Sequence, residues 1–179
     1  MISMPDMWWQ LPKLQLDLQP CYDVIEKAST SDEPNNYNLN SIKLPESYLT
    51  YLKNKIYAKV DYAYIGKFYP DSWFNWHKDG RRTCAINILL SDNHPDQYSK
   101  MIDPNSFKVF DVPYYDQTPL LYNTKNIHMV QNNHPTDARY ILTISFYDNA
   151  HDGSEFTFNE IVNLYENDLL INNTDQIQK

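Results

Sequence analysis

The chain has 179 residues and a mass of 21.2 kDa, enough for one domain with a hydrophobic core, and we predict a single domain over residues 1–179. Hydrophobic residues make up 42% of the sequence and aromatic residues 15%, a share that argues against a disordered chain. The formal net charge of −8 opposes general electrostatic attraction to nucleic acid or to an anionic membrane, so neither is an expected partner.

The cysteines and the first residues bear on the compartment. Cys21 and Cys84 are the only cysteines, so the chain could form at most one disulfide. Residues 1–10 lack the basic and apolar regions of a signal peptide, and no stretch reaches the roughly eighteen apolar residues of a membrane-spanning helix. We therefore expect a soluble, cytoplasmic protein.

Two helices are predicted in the first third of the chain. Residues 14–17 (LQLD) alternate as in a short strand, residues 21–28 (CYDVIEKA) are typical of a short helix, and the polar stretch from Ser31 is a predicted loop. A second helix is predicted over residues 45–56, because apolar residues recur there at helical spacing: Tyr48, Leu49, Leu52 and Ile56.

The middle of the chain is predicted to be all strand. From Val60 the hydrophobic period changes to two, and β-rich runs follow at residues 73–77, 83–90, 107–112, 120–122, 127–130 and 140–147. Many short strands at close spacing favour a sandwich or barrel, and a double sheet with closed edges is typical of a jelly roll. The predicted fold is mainly β, with a jelly-roll core at about residues 60–147, flanking helices, the last at residues 155–170, and a frayed tail after Asn172.

Five histidines are candidate metal ligands, at positions 77, 94, 128, 134 and 151. His77 follows the strand-like run WFNW, and Asp79 lies two residues further on, so the two side chains are predicted to share one face. The same His-x-Asp pattern recurs at His94. There Pro95 breaks any strand, so the imidazole has no reason to share a direction with Asp96.

A third ligand is needed to separate a metal site from an ordinary His-Asp hydrogen bond in the core. His134 and His151 lie in turns and are expected to be solvated. His128 lies in the strand-like stretch NIHMVQ, where an unpaired imidazole would be costly. His128 is therefore the predicted partner of His77 and Asp79.

Arg139 lies eleven residues after His128, on the other side of the turn NNHPT. Both residues are about equally far from the centre of this turn, so they are predicted to be close, either as cross-strand neighbours or face to face across the interior. A guanidinium that points inward needs an anion, and a bound dicarboxylate is one interpretation. The alternative is that Arg139 extends to the surface at the start of its strand.

These residues together resemble a known family. Two histidines and one carboxylate with open coordination positions form the facial triad of non-haem ferrous iron. The motif His77-x-Asp79, with His128 about fifty residues later and an arginine beyond it, is similar to that of the 2-oxoglutarate and Fe(II)-dependent oxygenases. The phrases WFNWHKDGRRTCAINILL and RYILTISF look closest to the prolyl and aspartyl/asparaginyl hydroxylase-like branch, and the resemblance covers roughly residues 60–147.

The resemblance implies an enzyme built on a double-stranded β-helix, which is a cupin-like jelly roll. His77, Asp79 and His128 would bind Fe(II), and 2-oxoglutarate would chelate the iron through its keto-acid end. Arg139 would pair with the far carboxylate of this co-substrate. With O2, such an enzyme hydroxylates an unactivated C–H bond of an amino acid, a protein side chain or a small metabolite, and releases succinate and CO2.

Two further residues are predicted to contact the co-substrate. Tyr64 lies upstream of His77, where similar hydroxylases often place a tyrosine against 2-oxoglutarate, although Tyr62 and Tyr69 compete for this role. Asn87 is a polar residue within the apolar strand CAINILL, so it should bond a neighbour or line the pocket.

Two residues are predicted to contact the substrate. Arg82 follows the iron motif and could meet an anionic group, with an exposed turn position as the alternative. Trp76 could form a wall of the pocket, with a place in the core as the alternative.

Two rival functions stay open at this point. A cupin-type protein that uses zinc or manganese for other chemistry would explain the three ligands but not Arg139. A non-catalytic jelly roll that serves as a structural or interaction module would bind no metal. Loading the protein with Fe(II) and 2-oxoglutarate separates these possibilities.

Overall fold

Two antiparallel sheets and three helices make up the structure, a computed structural model that describes residues 6–28, 39–58, 60–147 and 156–172. The strands are β1 (Trp8–Gln10), β2 (Leu39–Lys43), β3 (Tyr62–Phe68), β4 (Ser72–His77), β5 (Arg82–Leu89), β6 (Gln97–Ile102), β7 (Val109–Asp111), β8 (Leu120–Tyr122), β9 (His128–Asn132) and β10 (Arg139–Tyr147). The helices are α1 (Gln19–Ala28), α2 (Glu46–Lys55) and α3 (Phe158–Glu166). None of these described helices has the length and apolar character that crossing a lipid bilayer requires.

The two sheets differ in size. The major sheet has six strands in the order β1-β8-β5-β10-β3-β2, and the minor sheet has four in the order β4-β9-β6-β7. The chain crosses from one sheet to the other after β3, β4, β5, β7, β8 and β9, so strands that pair are often distant in sequence. Repeated crossing between two facing sheets is typical of a jelly roll.

Strand β10 lies in the middle of the major sheet, between β3 and β5. Its side chains alternate between the two faces of the sheet. One set packs in a single cluster with the helices: Leu142, Ile144 and Phe146. The other set faces the minor sheet: Arg139, Ile141, Thr143 and Ser145. Polar side chains are uncommon in a protein core. Here Arg139, Thr143 and Ser145 place three of them in the space between the sheets.

The helices cover the outer face of the major sheet. Six of their side chains are buried in the same cluster as β10: Cys21 from α1, Tyr48 and Leu52 from α2, and Phe158, Ile161 and Tyr165 from α3. Helix α3 begins with a capping box, in which Oγ1 of Thr157 accepts from the backbone N–H of Glu160 at 3.3 Å. Helix α2 begins at Glu46, because Pro45 is its N-cap.

The prediction of a strand at residues 14–17 was wrong. LQLD alternates because Leu14 and Leu18 are buried in the cluster beneath the helices, while the residues between them are partly or fully exposed. A strand also needs a partner for its backbone groups, and none of the described strands pairs with this segment. The alternation of apolar and polar residues in LQLD therefore reflects alternating burial in a segment that is not a strand.

Three strands were missed by the sequence analysis, namely β1, β2 and β6. In β6 the inward positions include the polar residues Gln97 and Ser99, so hydrophobic alternation is absent although the burial pattern alternates. Strand β1 has three residues, too few for a periodic signal. The predicted loop from Ser31 and the tail after Asn172 lie outside the described residues, as does Glu155, where the last helix was predicted to begin.

Candidate metal centre

A cluster that could hold a metal ion lies where β4 ends and β9 begins. His77, the last residue of β4, pairs with His128, the first residue of β9. The turn after β4 brings Asp79 to the same place, because its backbone N–H donates to the carbonyl of Thr124 at 3.1 Å. Single ligand atoms of His77, Asp79 and His128 all lie within 4.8 Å of one another. The structure therefore brings together the three residues predicted as ligands.

Both imidazoles leave their Nε2 atoms free for a metal. Nδ1 of His77 lies 2.6 Å from the carbonyl oxygen of Asn75. Nδ1 of His128 lies 2.8 Å from the carbonyl oxygen of Asn126. Because a carbonyl oxygen only accepts, each Nδ1 is assigned the proton and each Nε2 the lone pair. Hydrogen bonds of this kind fix the ring orientation of metal-binding histidines.

The carboxylate of Asp79 is held by Arg82 in one orientation. Nε and Nη2 of Arg82 lie 2.7 Å and 2.6 Å from Oδ2 of Asp79. Oδ1 lies 3.7 Å from Nε2 of His77. Arg82 itself is fixed by Nη1, which donates at 3.3 Å to the hydroxyls of Tyr64 and Ser145. One carboxylate oxygen is therefore engaged by arginine, and the other faces the histidines.

His128 is a neutral imidazole over the physiological pH range. The pKa of His128 is lowered to about 4, mainly by burial and in smaller part by the neighbouring His77, while the hydrogen bond to Asn126 opposes the shift. Only a neutral imidazole can bind a metal through its lone pair. This ligand needs no deprotonation before a metal ion arrives.

A cavity extends from the cluster into the space between the two sheets. Its lining includes aromatic and polar side chains: Tyr64, Arg82, Asn87, Tyr114, Tyr122, Thr124 and Thr143. Two buried oxygens there have no hydrogen-bond partner among the described residues, Oδ1 of Asn87 and the hydroxyl of Tyr122. Unsatisfied buried polar atoms indicate a bound ligand or ordered water. Sequence reasoning found Tyr64 and Asn87 but missed Tyr114 and Tyr122.

Arg139 is buried between the two sheets, beyond the lining of this cavity, with 1% of its surface exposed, so it does not extend to the surface. Its Nη1 donates to Oγ of Ser99 at 3.2 Å, and its Nε has no hydrogen-bond partner within the described part of the chain. Burial lowers the pKa of the guanidinium, and the nearby groups that oppose this shift are tyrosines rather than a described carboxylate. Its Cζ lies 5.0 Å from the ring centre of Tyr114. Tyr114 lines the cavity and Arg139 does not, so the tyrosine stands between them.

The position of Arg139 relative to the cluster follows from the strand register. His128 lies in the minor sheet and Arg139 in the major sheet, so they face each other across the interior rather than along one sheet. Ser99, which bonds the guanidinium, is one strand and two residues away from His128. That offset corresponds to about 8 Å.

Of the other residues singled out from the sequence, some lie at the cavity and some are exposed. Tyr64 lines the cavity with its hydroxyl on Arg82, whereas Arg81 is the exposed member of the arginine pair. Trp76 is 42% exposed and does not line the cavity, so it is not part of the core, and a substrate contact for it stays a prediction.

The other histidines lie away from the cluster. His94 does share a direction with Asp96, contrary to our prediction, since its Nδ1 lies 3.5 Å from a carboxylate oxygen. Its ring also packs on that of His134, with centres 4.5 Å apart. The side chain of His134 is only 16% exposed, so the expectation that it is solvated was wrong. His151 lies outside the described residues.

Comparisons with known proteins find similarity in solved structures. No model of a known protein family matches the sequence. No curated protein matches it. A prolyl-4-hydroxylase from Pseudomonas putida has a similar structure, with a TM-score of 0.57 and 14% identity, over 80% of this chain and 94% of that chain.

Two further solved structures are similar. A prolyl hydroxylase from Trichoplax adhaerens, in complex with a peptide fragment of the hypoxia inducible factor oxygen degradation domain, has a TM-score of 0.57 and 14% identity, over 80% of this chain and 84% of that chain. HygX from Streptomyces hygroscopicus, with nickel, 2-oxoglutarate and hygromycin B bound, has a TM-score of 0.53 and 10% identity, over 84% of this chain and 91% of that chain. At these identities the likeness concerns the fold, and the predicted mainly β jelly roll with flanking helices is confirmed.

Proposed function

We propose that this protein is a 2-oxoglutarate and Fe(II)-dependent dioxygenase that hydroxylates an unactivated C–H bond and releases succinate and CO2. The observation that carries the proposal is the convergence of His77, Asp79 and His128, with two free Nε2 atoms and one free carboxylate oxygen. Two histidines and one carboxylate with open positions suit non-haem ferrous iron. The similar fold of known oxygenases supports the same reading.

The three ligands fit Fe(II) in chemistry as well as in position. His77 and His128 supply neutral nitrogen donors, and Asp79 supplies one negative oxygen. Arg82 offsets part of the charge of Asp79 and prevents it from turning. Iron bound here would supply the activation of O2, while the protein's residues hold the two reactants in position.

The inner cavity suits the co-substrate 2-oxoglutarate. Arg139 is a buried cation without a carboxylate partner among the described residues, and Ser99, which bonds its guanidinium, is about 8 Å from His128 by strand geometry. A dicarboxylate chelated at the cluster would carry its far carboxylate toward this guanidinium. The unsatisfied oxygens of Asn87 and Tyr122, with the hydroxyls of Tyr64 and Tyr114, would then orient it. Tyr114 would have to share or vacate part of the path to Arg139.

The site defines the class of substrate less narrowly than it defines the metal and the co-substrate. The similar structures include a prolyl hydroxylase with a peptide and HygX with hygromycin B, so both a peptide and a small molecule are compatible with this fold. We include an amino acid, a protein side chain and a small metabolite in the proposal. Arg82 and Trp76 stay the proposed substrate contacts. A reducing compartment such as the cytoplasm is also proposed, because Cys21 and Cys84 are free and buried.

The proposal is tested by loading the purified protein with Fe(II) and 2-oxoglutarate in the absence of oxygen. We expect a weak visible absorption band, and slow formation of succinate when oxygen is admitted. Asp79→Ala removes the charged ligand and should abolish both signals. Asp116→Ala, at an exposed position, is the matched control and should retain them.

Three outcomes separate the candidate functions. The band together with succinate supports the dioxygenase. Metal binding that needs Asp79 but gives neither signal would indicate a cupin-type protein with other chemistry. Absence of metal binding would leave the non-catalytic module.

A further inference from the structure

A second concave site lies at the end of the sheets farthest from the metal cluster. Gln97, at its floor, pairs with Asn132, four residues along β9 from His128, or about 13 Å. The groove runs between the loop before β6 and the segment after β7 and has a volume of about 460 Å³. Small-molecule sites in proteins usually measure about 300–1,000 Å³.

Two residues at the floor of this groove each carry a buried polar atom that has no hydrogen-bond partner among the described residues. These atoms are Oε1 of Gln97, which accepts, and Nε of Arg139, which donates. Both residues are more than nine-tenths buried, at 6% and 1% exposed. The other ends of both side chains are fixed, since Nε2 of Gln97 donates to the carbonyl of Asp137 at 3.2 Å and Arg139 donates to Ser99. A ligand that carries an acceptor beside a donor would satisfy both atoms.

The rim of the groove carries both signs of charge. Nζ of Lys100 lies 3.7 Å from a carboxylate oxygen of Asp111 and 4.8 Å from the ring centre of Tyr98. Tyr115, on the same rim, is 46% exposed and offers an apolar face. Such a rim complements a small zwitterion with an apolar body rather than a simple anion.

We propose that this groove binds a free α-amino acid, with its carboxylate on Nε of Arg139 and its ammonium on Oε1 of Gln97. A carboxylate, unlike a neutral carbonyl, also offsets the charge of a buried guanidinium that has no described carboxylate partner. Tyr114 lines both the groove and the cavity that begins at the metal cluster. The groove therefore approaches Arg139 from outside, and the cavity approaches it from inside.

The shared guanidinium couples the two sites. This consequence rests on the proposed function, in which the far carboxylate of 2-oxoglutarate pairs with Arg139, whereas binding in the groove does not depend on it. Two carboxylates on one arginine repel each other, so the amino acid raises the Kd of 2-oxoglutarate. Linkage requires that 2-oxoglutarate raise the Kd of the amino acid by the same factor.

The proposal is tested by isothermal titration calorimetry of the metal-free protein with a panel of free α-amino acids, each compared with its methyl ester and its N-acetyl form. At least one free amino acid should bind saturably, and both blocked forms should bind about tenfold more weakly or worse. Gln97→Met keeps the size of the side chain but removes the acceptor, and should weaken binding to a similar extent. Gln117→Met, at an exposed position, is the control and should leave binding unchanged.

Further variants keep the test decisive if Gln97→Met does not fold. Asp111→Asn and Tyr115→Ala change the exposed rim and should each weaken the same amino acid. The absence of saturable binding by any free amino acid would overturn the site. Binding as tight as in the parent protein in Gln97→Met, Asp111→Asn and Tyr115→Ala would do the same. Ordered water would then be the partner of the two buried polar atoms. His77→Ala should not affect the groove, so failure of the metal centre and failure of the groove give different results.

Discussion

Arg82 decides which oxygen of Asp79 faces the two histidines. Its Nε and Nη2 both engage Oδ2, and its Nη1 is fixed by the hydroxyls of Tyr64 and Ser145. The carboxylate therefore cannot turn without breaking a paired, largely buried interaction. At this position arginine is a positioning residue for a ligand, in addition to any contact that it makes with a substrate.

Arg82→Leu is expected to weaken metal binding by about 10- to 100-fold, the usual effect of losing a partner that orients a metal ligand. Titration of the variant and the parent protein with Mn(II), a redox-stable substitute for Fe(II), measures the change. Arg81→Leu removes a neighbouring but exposed arginine and should have the parent affinity. Equal affinities in the two variants would contradict a positioning role.

The depressed pKa of His128 predicts an acid-dependent loss of stability in the metal-free protein. In the folded state the pKa is about 4, below the usual value of 6.5, so the unfolded chain binds the extra proton between these values. Stability is therefore complete above pH 6.5 and falls as the pH decreases toward 4, by about 3 kcal/mol in total. Urea unfolding at several pH values in this window measures the slope.

His128→Asn provides the comparison for this pH dependence. The carboxylates titrate in both proteins, so the difference between the two slopes isolates the histidine. The variant should lose less stability than the parent protein between pH 6.5 and pH 4. Identical slopes would show that the buried imidazole does not resist protonation.

Several features of the site could be predicted from single residues and their spacing. His77 and Asp79 were predicted to share a face, and the structure places both beside His128. Tyr114 and Tyr122 could not be predicted in the same way. Tyr114 belongs to the irregular segment after β7, whose path is set by packing rather than by a local pattern, and Tyr122 resembles any core residue of a short apolar strand.

Asn132 joins the elements that place Arg139 opposite the metal cluster. This fully buried residue ends β9, and its Nδ2 lies within 3.1 Å of the carbonyl oxygens of Phe68, Tyr69 and Asp137. Its Oδ1 accepts from the backbone N–H of His134 at 3.1 Å. One side chain thus ties the β3–β4 turn to the β9–β10 turn. The separation of the two turns, and so of the two halves of the site, depends on it.

Asn132→Leu should lower the free energy of unfolding by roughly 3 kcal/mol, because it leaves several buried backbone groups without their partner. Urea denaturation of the variant and of Asn133→Leu, an exposed neighbour, measures the effect. The neighbouring variant should differ little from the parent protein. A similar small loss in both would show that water replaces the amide of Asn132.

Local sequence patterns predicted the helices and the long strands. The bounds of the short strands depend instead on which residues pair with a neighbouring strand. Strand β10 and helix α2 were predicted within a residue of their bounds, since each has a strong period. Strand β7 was predicted at 107–112 but covers only Val109–Asp111, because only these residues pair with β6. Pairing with distant strands has no signature within a short stretch of sequence.

The proposed metal and co-substrate sites draw on both sheets, which predicts how bound ligands stabilise the whole molecule. The metal would join β4, the following turn and β9 of the minor sheet, and 2-oxoglutarate would reach Arg139 on the major sheet. A metal at 100 times its Kd should add about 2.7 kcal/mol of stability and raise the Tm, and 2-oxoglutarate should raise it again. Differential scanning fluorimetry with Mn(II) measures both steps.

Two variants separate the increase in Tm caused by the metal from the increase caused by 2-oxoglutarate. Asp79→Ala should lose both increases in Tm, because the metal and the chelated co-substrate leave together. Arg139→Gln should keep the increase caused by the metal and lose most of the increase caused by 2-oxoglutarate. An unchanged second step in Arg139→Gln would mean that the co-substrate lies in another orientation.

The central place of β10 in the major sheet has a consequence for synthesis on the ribosome. Among the described residues it is the last strand along the chain, yet it lies between β3 and β5, which are translated much earlier. Until residues 139–147 emerge, the nascent chain exposes two hydrophobic strand edges that no earlier segment pairs in the finished sheet. We therefore expect β3 and β5 to complete their pairing only after β10 has been synthesised.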